Sequence, residues 1–284
     1  MAENVDMRGE PVSRAVPVSY RGAVARGADA TGAPGMAAVS YIPSEGVTAR
    51  THREGIDPKA MLAEFIGTFT LIFVGVGTIA VTSRIGALPS LVAVALAHGL
   101  AIAVMVSATA AISGGHLNPA VTMGALVGGR IGLPQAIAHW VAQVLGGIAA
   151  AAIVALCVPT ALLAASGFGV PAPGAGIGIG AAFLTEVVLT FFLVFVVFGT
   201  AIDPRAPRVG GLFIGLAVTM GVLMGGPISG GAMNPARFLG PAIVNASQLQ
   251  YTWLYVIGGL LGGLLAGVVW RYAFRTKAAA AEAA

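Results

Sequence analysis

ISGGHLNPA at residues 112–120 returns as ISGGAMNPA at 228–236, which sets Asn118-Pro119-Ala120 and Asn234-Pro235-Ala236 in matching glycine-rich frames 116 residues apart. Both copies lie beside long apolar runs, yet each reads as a loop turning into a helix. Proline suits the first turn of a helix, and asparagine suits the cap before it. Irregular backbone at membrane depth survives only where it is buried in protein or lines a polar cavity. A loop of this kind, written twice, is most simply two halves of one pore.

The surroundings support a membrane setting. The chain is 57% hydrophobic and 9% charged, far from the roughly 25% charged of soluble domains. From about residue 60 to about 275, apolar runs follow one another, each near the ~20 residues a bilayer needs. The 41 glycines fit helices that approach closely. A net charge of +4 could suggest a nucleic-acid partner, but its distribution argues otherwise. Residues 1–59 carry seven Lys/Arg and seven Asp/Glu, and the excess lies in short loops and at the C-terminus, where topology signals belong. The single Cys157 excludes an internal disulfide, and its apolar run predicts a buried, unreactive thiol.

Residues 1–57 are rich in Gly, Ala, Pro, Ser and Arg without periodicity and read as a disordered tail. They contain no continuous apolar core of a secretory signal. Six spans follow, at about 60–82, 89–110, 134–157, 179–202, 209–227 and 251–273. After the first triplet motif, AVTMGALVG is too short to span, and so is ARFLGPAIV after the second. Each predicts a re-entrant half-helix. The channel domain thus runs over 58–275, with halves of about 60–157 and 179–275 and a short tail at 276–284.

The repeat extends past the triplets. AEFIGTFTLIFVGVGT at 63–78 aligns with TEVVLTFFLVFVVFGT at 185–200, which pairs Glu64 with Glu186 and Thr68 with Thr190. Three spans per half is an odd number, so the second half enters the membrane upside down, an inverted repeat with a pseudo-two-fold axis in the membrane plane. The two half-helix N-termini then meet near the midplane. If the N-terminal tail is cytoplasmic, its side also receives Arg130, Arg205, Arg208, Arg271, Arg275 and Lys277, against Arg84 opposite. That asymmetry predicts both termini inside.

The polar residues left in so apolar a chain are the functional candidates. Asn118 and Asn234, as helix caps, hold their amides in fixed orientation and can present NH₂ groups to a lumen. Two donors binding one water oxygen interrupt a proton wire, and the two half-helix N-termini add partial positive charge that repels cations. Arg237 lies one turn into the second half-helix, where an intramembrane cation is a functional residue by default. Glu64 and Glu186 are symmetry-related acids. A proton relay is conceivable, but their duplication favours support of the irregular loops, and His116 inside the first loop reads as a brace. His98 in the second span is equally compatible with lining and with packing. His139 and His52 carry no clear signal. No metal-ligand cluster, nucleophile–base pair or phosphate loop is apparent, so neither an enzyme nor a cofactor is expected.

The paired SGGHLNPAVT and SGGAMNPARFLGPA, with AEFIGT opening the first span, resemble the aquaporin (major intrinsic protein) family over roughly 60–275. The resemblance implies an all-α polytopic fold of six helices and two half-helices, a homotetramer with one pore per protomer, and a second constriction at His98, Val222, Gly231 and Arg237. That set, together with TAIDPRAP at 200–207, is similar to the plant tonoplast-intrinsic branch, some members of which pass ammonia and urea. Val and Gly in place of bulkier groups imply a wider, less polar opening than in a strict water channel. Phe238 occupies the place where glycerol facilitators usually carry Asp, and residues 158–178 offer no histidine to the constriction. The expected function is a passive channel for water and small uncharged solutes such as ammonia, urea or hydrogen peroxide, in a plasma membrane. A glycerol facilitator is the nearer alternative and a proton-coupled transporter the more remote one.

Overall fold

The structure, a computed structural model, describes residues 55–83, 90–203, 205–206 and 209–274. The tails expected over 1–57 and 276–284 lie outside these residues, except for the last three positions of the first. His52, Arg84, Arg208, Arg275 and Lys277 also lie outside.

Local chemistry defines most helix ends. α1, Pro58–Thr82, starts with proline in its first turn and Asp57 accepting from the Lys59 amide at 2.9 Å. α2, Leu91–Ser113, is capped by Ser90 and stops at the left-handed Gly114. The half-helix α3, Pro119–Val127, is nine residues long and capped by Asn118. α4, Leu133–Cys157, again has proline in its first turn. A short α5, Thr160–Ala165, and a 3₁₀ turn at Gly167–Gly169 interrupt the connection to the second half. α6, Ile179–Val197, widens into a π-turn over Phe198–Ile202. α7, Gly210–Ser229, ends at Gly230, and the half-helix α8, Pro235–Val244, follows Asn234. α9, Thr252–Val269, finishes in a second π-turn, Trp270–Phe274. Six of these helices are long and apolar enough to cross a membrane, at bounds close to the six expected spans. The short α5 was not expected, because the sequence at 158–178 has turn residues but no helical periodicity.

The packing is reciprocal. α1 lies on α4 as α6 lies on α9, and α2 and α7 cross each other where the halves meet. Each half-helix crosses into the other half: α3 packs on α9, and α8 packs on α4. Glycines set these approaches. A Cβ on Gly147 in α4 would stand 2.8 Å from the Ala236 carbonyl oxygen, and one on Gly263 in α9 only 2.2 Å from that of Ala120. Such contacts are the membrane form of small-residue packing. The structure therefore has the all-α, inverted-repeat architecture of six spanning helices and two half-helices.

On the face where α1 begins, helix ends are tied to one another. The Asp57 amide donates to Gln135 Oε1 at 2.7 Å, tying the start of α1 to that of α4. Arg271 Nη1 donates to the Val127 carbonyl at 2.9 Å, which joins the end of α9 to the end of α3. After α6, Arg205 Nε donates to Asp203 at 2.9 Å, and the pair holds the Asp203 carboxyl down at about 2. Cys157 departs from expectation. It is exposed rather than buried, since the last turn of α4 presents it away from the bundle.

Candidate functional site

The two motif loops begin where a spanning helix ends on glycine. α2 stops at Gly114 with φ 91° and α7 at Gly230 with φ 83°, and Gly115 and Gly231 continue in the left-handed region. Two residues later Leu117 and Met233 both sit at φ 51°. A non-glycine residue held there costs on the order of 1–3 kcal/mol and persists only where its surroundings over-determine it.

The over-determination comes from the two buried acids. Glu64 Oε1 accepts from Ser113 Oγ at 2.6 Å and the His116 amide at 2.9 Å, while Oε2 accepts from the Leu117 amide. Glu186 repeats the pattern, accepting from Ser229 Oγ at 2.7 Å, the Ala232 amide at 2.9 Å and the Met233 amide at 2.7 Å. Each carboxylate thus binds the backbone N–H groups that the bent loop leaves without helical partners.

Just beyond, the asparagines clasp the halves together. Asn118 Oδ1 accepts from the Ala120 amide at 2.8 Å, and Asn234 Oδ1 from the amides of Ala236 at 2.9 Å and Arg237 at 3.3 Å. Their NH₂ groups cross over: Asn118 Nδ2 donates to the Met233 carbonyl at 2.8 Å, and Asn234 Nδ2 to the Leu117 carbonyl at 3.0 Å. The expected free NH₂ is therefore half committed. One hydrogen of each amide anchors the opposite loop, and the other remains for the lumen that both side chains line.

That lumen is a narrow passage walled on one side by aliphatic groups including Ile102, Val106, Leu193 and Ile214, and on the other by the two loops. On one side it meets a wider cavity of about 420 Å³ between the 166–172 connection and the ends of α2 and α7. His98, Val222 and Arg237 line both spaces, so they stand at the junction. Gly231 lines the narrow side of it. The four residues expected at one constriction are therefore together.

Two of them are held by backbone. His98 Nδ1 lies 2.8 Å from the Val94 carbonyl, which can only accept, so the proton sits on Nδ1 and Nε2 has a free lone pair. The ring fits because a Cβ on Gly75 would come within 2.4 Å of Nε2. His98 therefore both lines the two spaces and packs its Nε2 tip on α1, the two readings that the sequence leaves open. Arg237 is 4% exposed, and Nη1 donates to the Gly169 carbonyl at 2.7 Å. No carboxylate lies within ion-pair distance of it among the described residues. Gly169 is a residue that sequence reasoning missed. The connection supplies no histidine, but it supplies a carbonyl, carried past a left-handed Phe168 and kept in place by the Gly174 amide donating to the Ile228 carbonyl at 2.9 Å.

The halves diverge behind the loops. At the 116-residue spacing, His116, Thr122, His139 and Gln143 correspond to Ala232, Phe238, Tyr255 and Gly259. In the second half, Phe238 and Tyr255 stack at 4.4 Å, and the Tyr255 hydroxyl donates to the Ser229 carbonyl at 2.6 Å. In the first half, Gln143 Nε2 donates to Glu64 at 2.7 Å and Thr122 Oγ1 at 3.0 Å, and His116 Nδ1 lies 3.0 Å from the same hydroxyl. His139 stands edge-on to His116 with ring centroids 5.1 Å apart.

A family model described as "Major intrinsic protein" matches residues 53–270. The curated "Aquaporin TIP4-4" of Zea mays is 46% identical over 232 residues, covering 77% of this chain and 89% of that protein. "Aquaporin TIP2-3" of Arabidopsis thaliana is 43% identical, covering 75% and 86%. The X-ray structure of the aquaglyceroporin from Plasmodium falciparum superposes with a TM-score of 0.68 at 24% identity, covering 76% of this chain and 96% of that one. That last likeness concerns the fold alone.

Proposed function

Because the chain belongs to the major intrinsic protein family, we propose that its narrow passage conducts water passively and also admits small uncharged solutes, with ammonia, urea and hydrogen peroxide as the candidates. The protein is a multi-pass integral membrane protein and a water channel. The observation that carries the reading is the reciprocal clasp: two asparagine caps, each bound to the opposite loop, leave two fixed donors at one level of an otherwise aliphatic lumen. A water held by both cannot relay a proton between its neighbours, and the converging half-helix N-termini disfavour cations there.

Passage of solutes larger than water rests on the junction. Val222 and Gly231 leave two of its four positions without polar or bulky groups, whereas Arg237 brings guanidinium donors to the same junction. A small neutral molecule with an oxygen or nitrogen that accepts from the guanidinium fits that arrangement. Glycerol is the poorer candidate, because buried Phe238 leaves no carboxylate after the arginine. Glu64, Glu186 and His116 serve the loops in this scheme, and no proton coupling is assigned to the acids. We place both termini on the cytoplasmic side and expect a homotetramer. The TIP relatives lend no support to the plasma membrane anticipated from sequence.

Stopped-flow light scattering on one proteoliposome preparation tests the reading. Water, ammonia and urea fluxes above those of protein-free liposomes are expected, with glycerol well below urea. Glycerol flux matching urea flux would replace this reading with a glycerol facilitator, and uphill uptake under a proton gradient would replace it with a transporter.

A further inference from the structure

On α1, Leu71 borders the narrow passage and Ile79, two turns on, borders the wider cavity. Gly75 lies midway between them on the same face of the helix, four residues from each. The junction is closed on this side by whatever fills the place of the missing side chain, and that is the His98 ring. A Cβ on Gly75 would stand 2.7 Å from both Cδ2 and Cε1 and closer still to Nε2. These three atoms form the outer edge of the ring, and Nε2 has no hydrogen-bond partner there.

The inverted repeat supplies a comparison. Gly75 corresponds to Val197 along the alignment of 63–78 with 185–200, and His98 corresponds to Ile214 at the 116-residue spacing. Val197 carries a side chain where the first half has glycine, and both it and Ile214 line the passage directly. In the first half the wall residue is instead set back against α1, at the level where passage and cavity meet.

Neither helix backbone has room to give. Gly99, next to His98, lies against α7, where a Cβ would collide with Thr219 Oγ1 and the Gly215 carbonyl oxygen. Val76, next to Gly75, is buried, and Gly169 packs on it. A methyl group at residue 75 must therefore be met by the ring, which is the end of a side chain and can turn. Its Nδ1 bond to the Val94 carbonyl keeps it at this level of α2. Turning away from α1 carries it into the passage and the cavity that it already borders.

On the premise that the passage is the proposed channel, we propose that Gly75 is a specificity-determining position: it takes the edge of the His98 ring, and the width this leaves at the junction is what admits urea beside water. Val222 and Gly231 spare the junction bulk of their own, whereas Gly75 spares it the bulk of His98. Gly75 acts through the ring and is a positioning residue.

The full-length protein is reconstituted in liposomes, and urea and water permeabilities are measured by stopped flow on the same preparation. In Gly75→Ala the urea-to-water ratio is expected to fall about ten-fold, the lower end of what one methylene does in a fitted pocket. Where His98→Ala has removed the ring, adding Gly75→Ala is expected to leave the ratio of His98→Ala unchanged. Should the single variant stop water as well, flux is expected to return in the double variant. An unchanged ratio in Gly75→Ala overturns the inference. So does an equal fall with and without the ring, which a general loss of packing would give, and so does a single variant silent to water that His98→Ala does not restore. Wild type passing urea no faster than protein-free liposomes overturns the proposed solute range, and the inference with it.

Discussion

Arg237 has no carboxylate within ion-pair distance among the described residues, and it is kept in the membrane interior by a backbone carbonyl. Such a group raises the local potential at the junction at little cost to water, which its guanidinium can bind. Arg237→Ala should therefore retain water flow while increasing cation or proton leak, read as the decay of an imposed pH gradient in the same proteoliposomes. An unchanged leak would remove the barrier role. The buried acids act differently, on structure. In Glu186→Gln one acceptor oxygen becomes an NH₂ facing the Ala232 and Met233 amides, so at least one donor loses its partner. A buried unsatisfied donor costs about 1–3 kcal/mol, and Met233 loses what offsets its left-handed strain. The variant is expected to melt earlier in detergent by intrinsic fluorescence. A melting profile equal to wild type would show that the loop does not depend on this carboxylate.

At the scale of elements, the half-helices depend on glycine clearances that differ in tightness. A methyl on Gly263 would stand 2.2 Å from the Ala120 carbonyl oxygen, backbone that cannot rotate away, whereas one on Gly147 would stand 2.8 Å from that of Ala236. Overpacking of this kind costs typically about 1–3 kcal/mol. Gly263→Ala should lower thermal stability more than Gly147→Ala, and the reverse order in a detergent melt would contradict the packing described. Elements of this kind were legible in the sequence because their determinants are local: the Asn-Pro caps, the glycine stops and apolar runs of spanning length. What escaped was set by tertiary contact. The 158–178 segment has no periodicity, so neither α5 nor the Gly169 carbonyl on Arg237 could be read from it. The edge-on packing of His139 on His116, 23 residues away in the chain and 5.1 Å away in the fold, is of the same kind. His98 could be placed on the second span, but that its ring both borders the passage and packs into the space that Gly75 leaves is a matter of tertiary contact.

For the whole molecule, the decisive property is that three spans separate one motif from its copy, which inverts the second half and lets α3 and α8 enter from opposite faces. The same count places the end of α4 on the face opposite the start of α1, since α1, α2 and α4 cross in alternation. Asp57 and Gln135 are joined at one face, and the 25-residue α4 carries Cys157 to the other. If the termini are cytoplasmic, as we propose from the Lys/Arg asymmetry, Cys157 emerges on the opposite side of the membrane. It is exposed and is the only cysteine in the chain, so native protein serves without a cysteine-free background. A membrane-impermeant maleimide added to the non-cytoplasmic side of sealed membrane vesicles should label it, and an added C-terminal epitope should stay protected from protease on that side until the membrane is permeabilised. Cysteine and C-terminus reached from the same side would refute the three-span count. A protected cysteine with an accessible C-terminus would preserve the inverted fold but reverse its orientation.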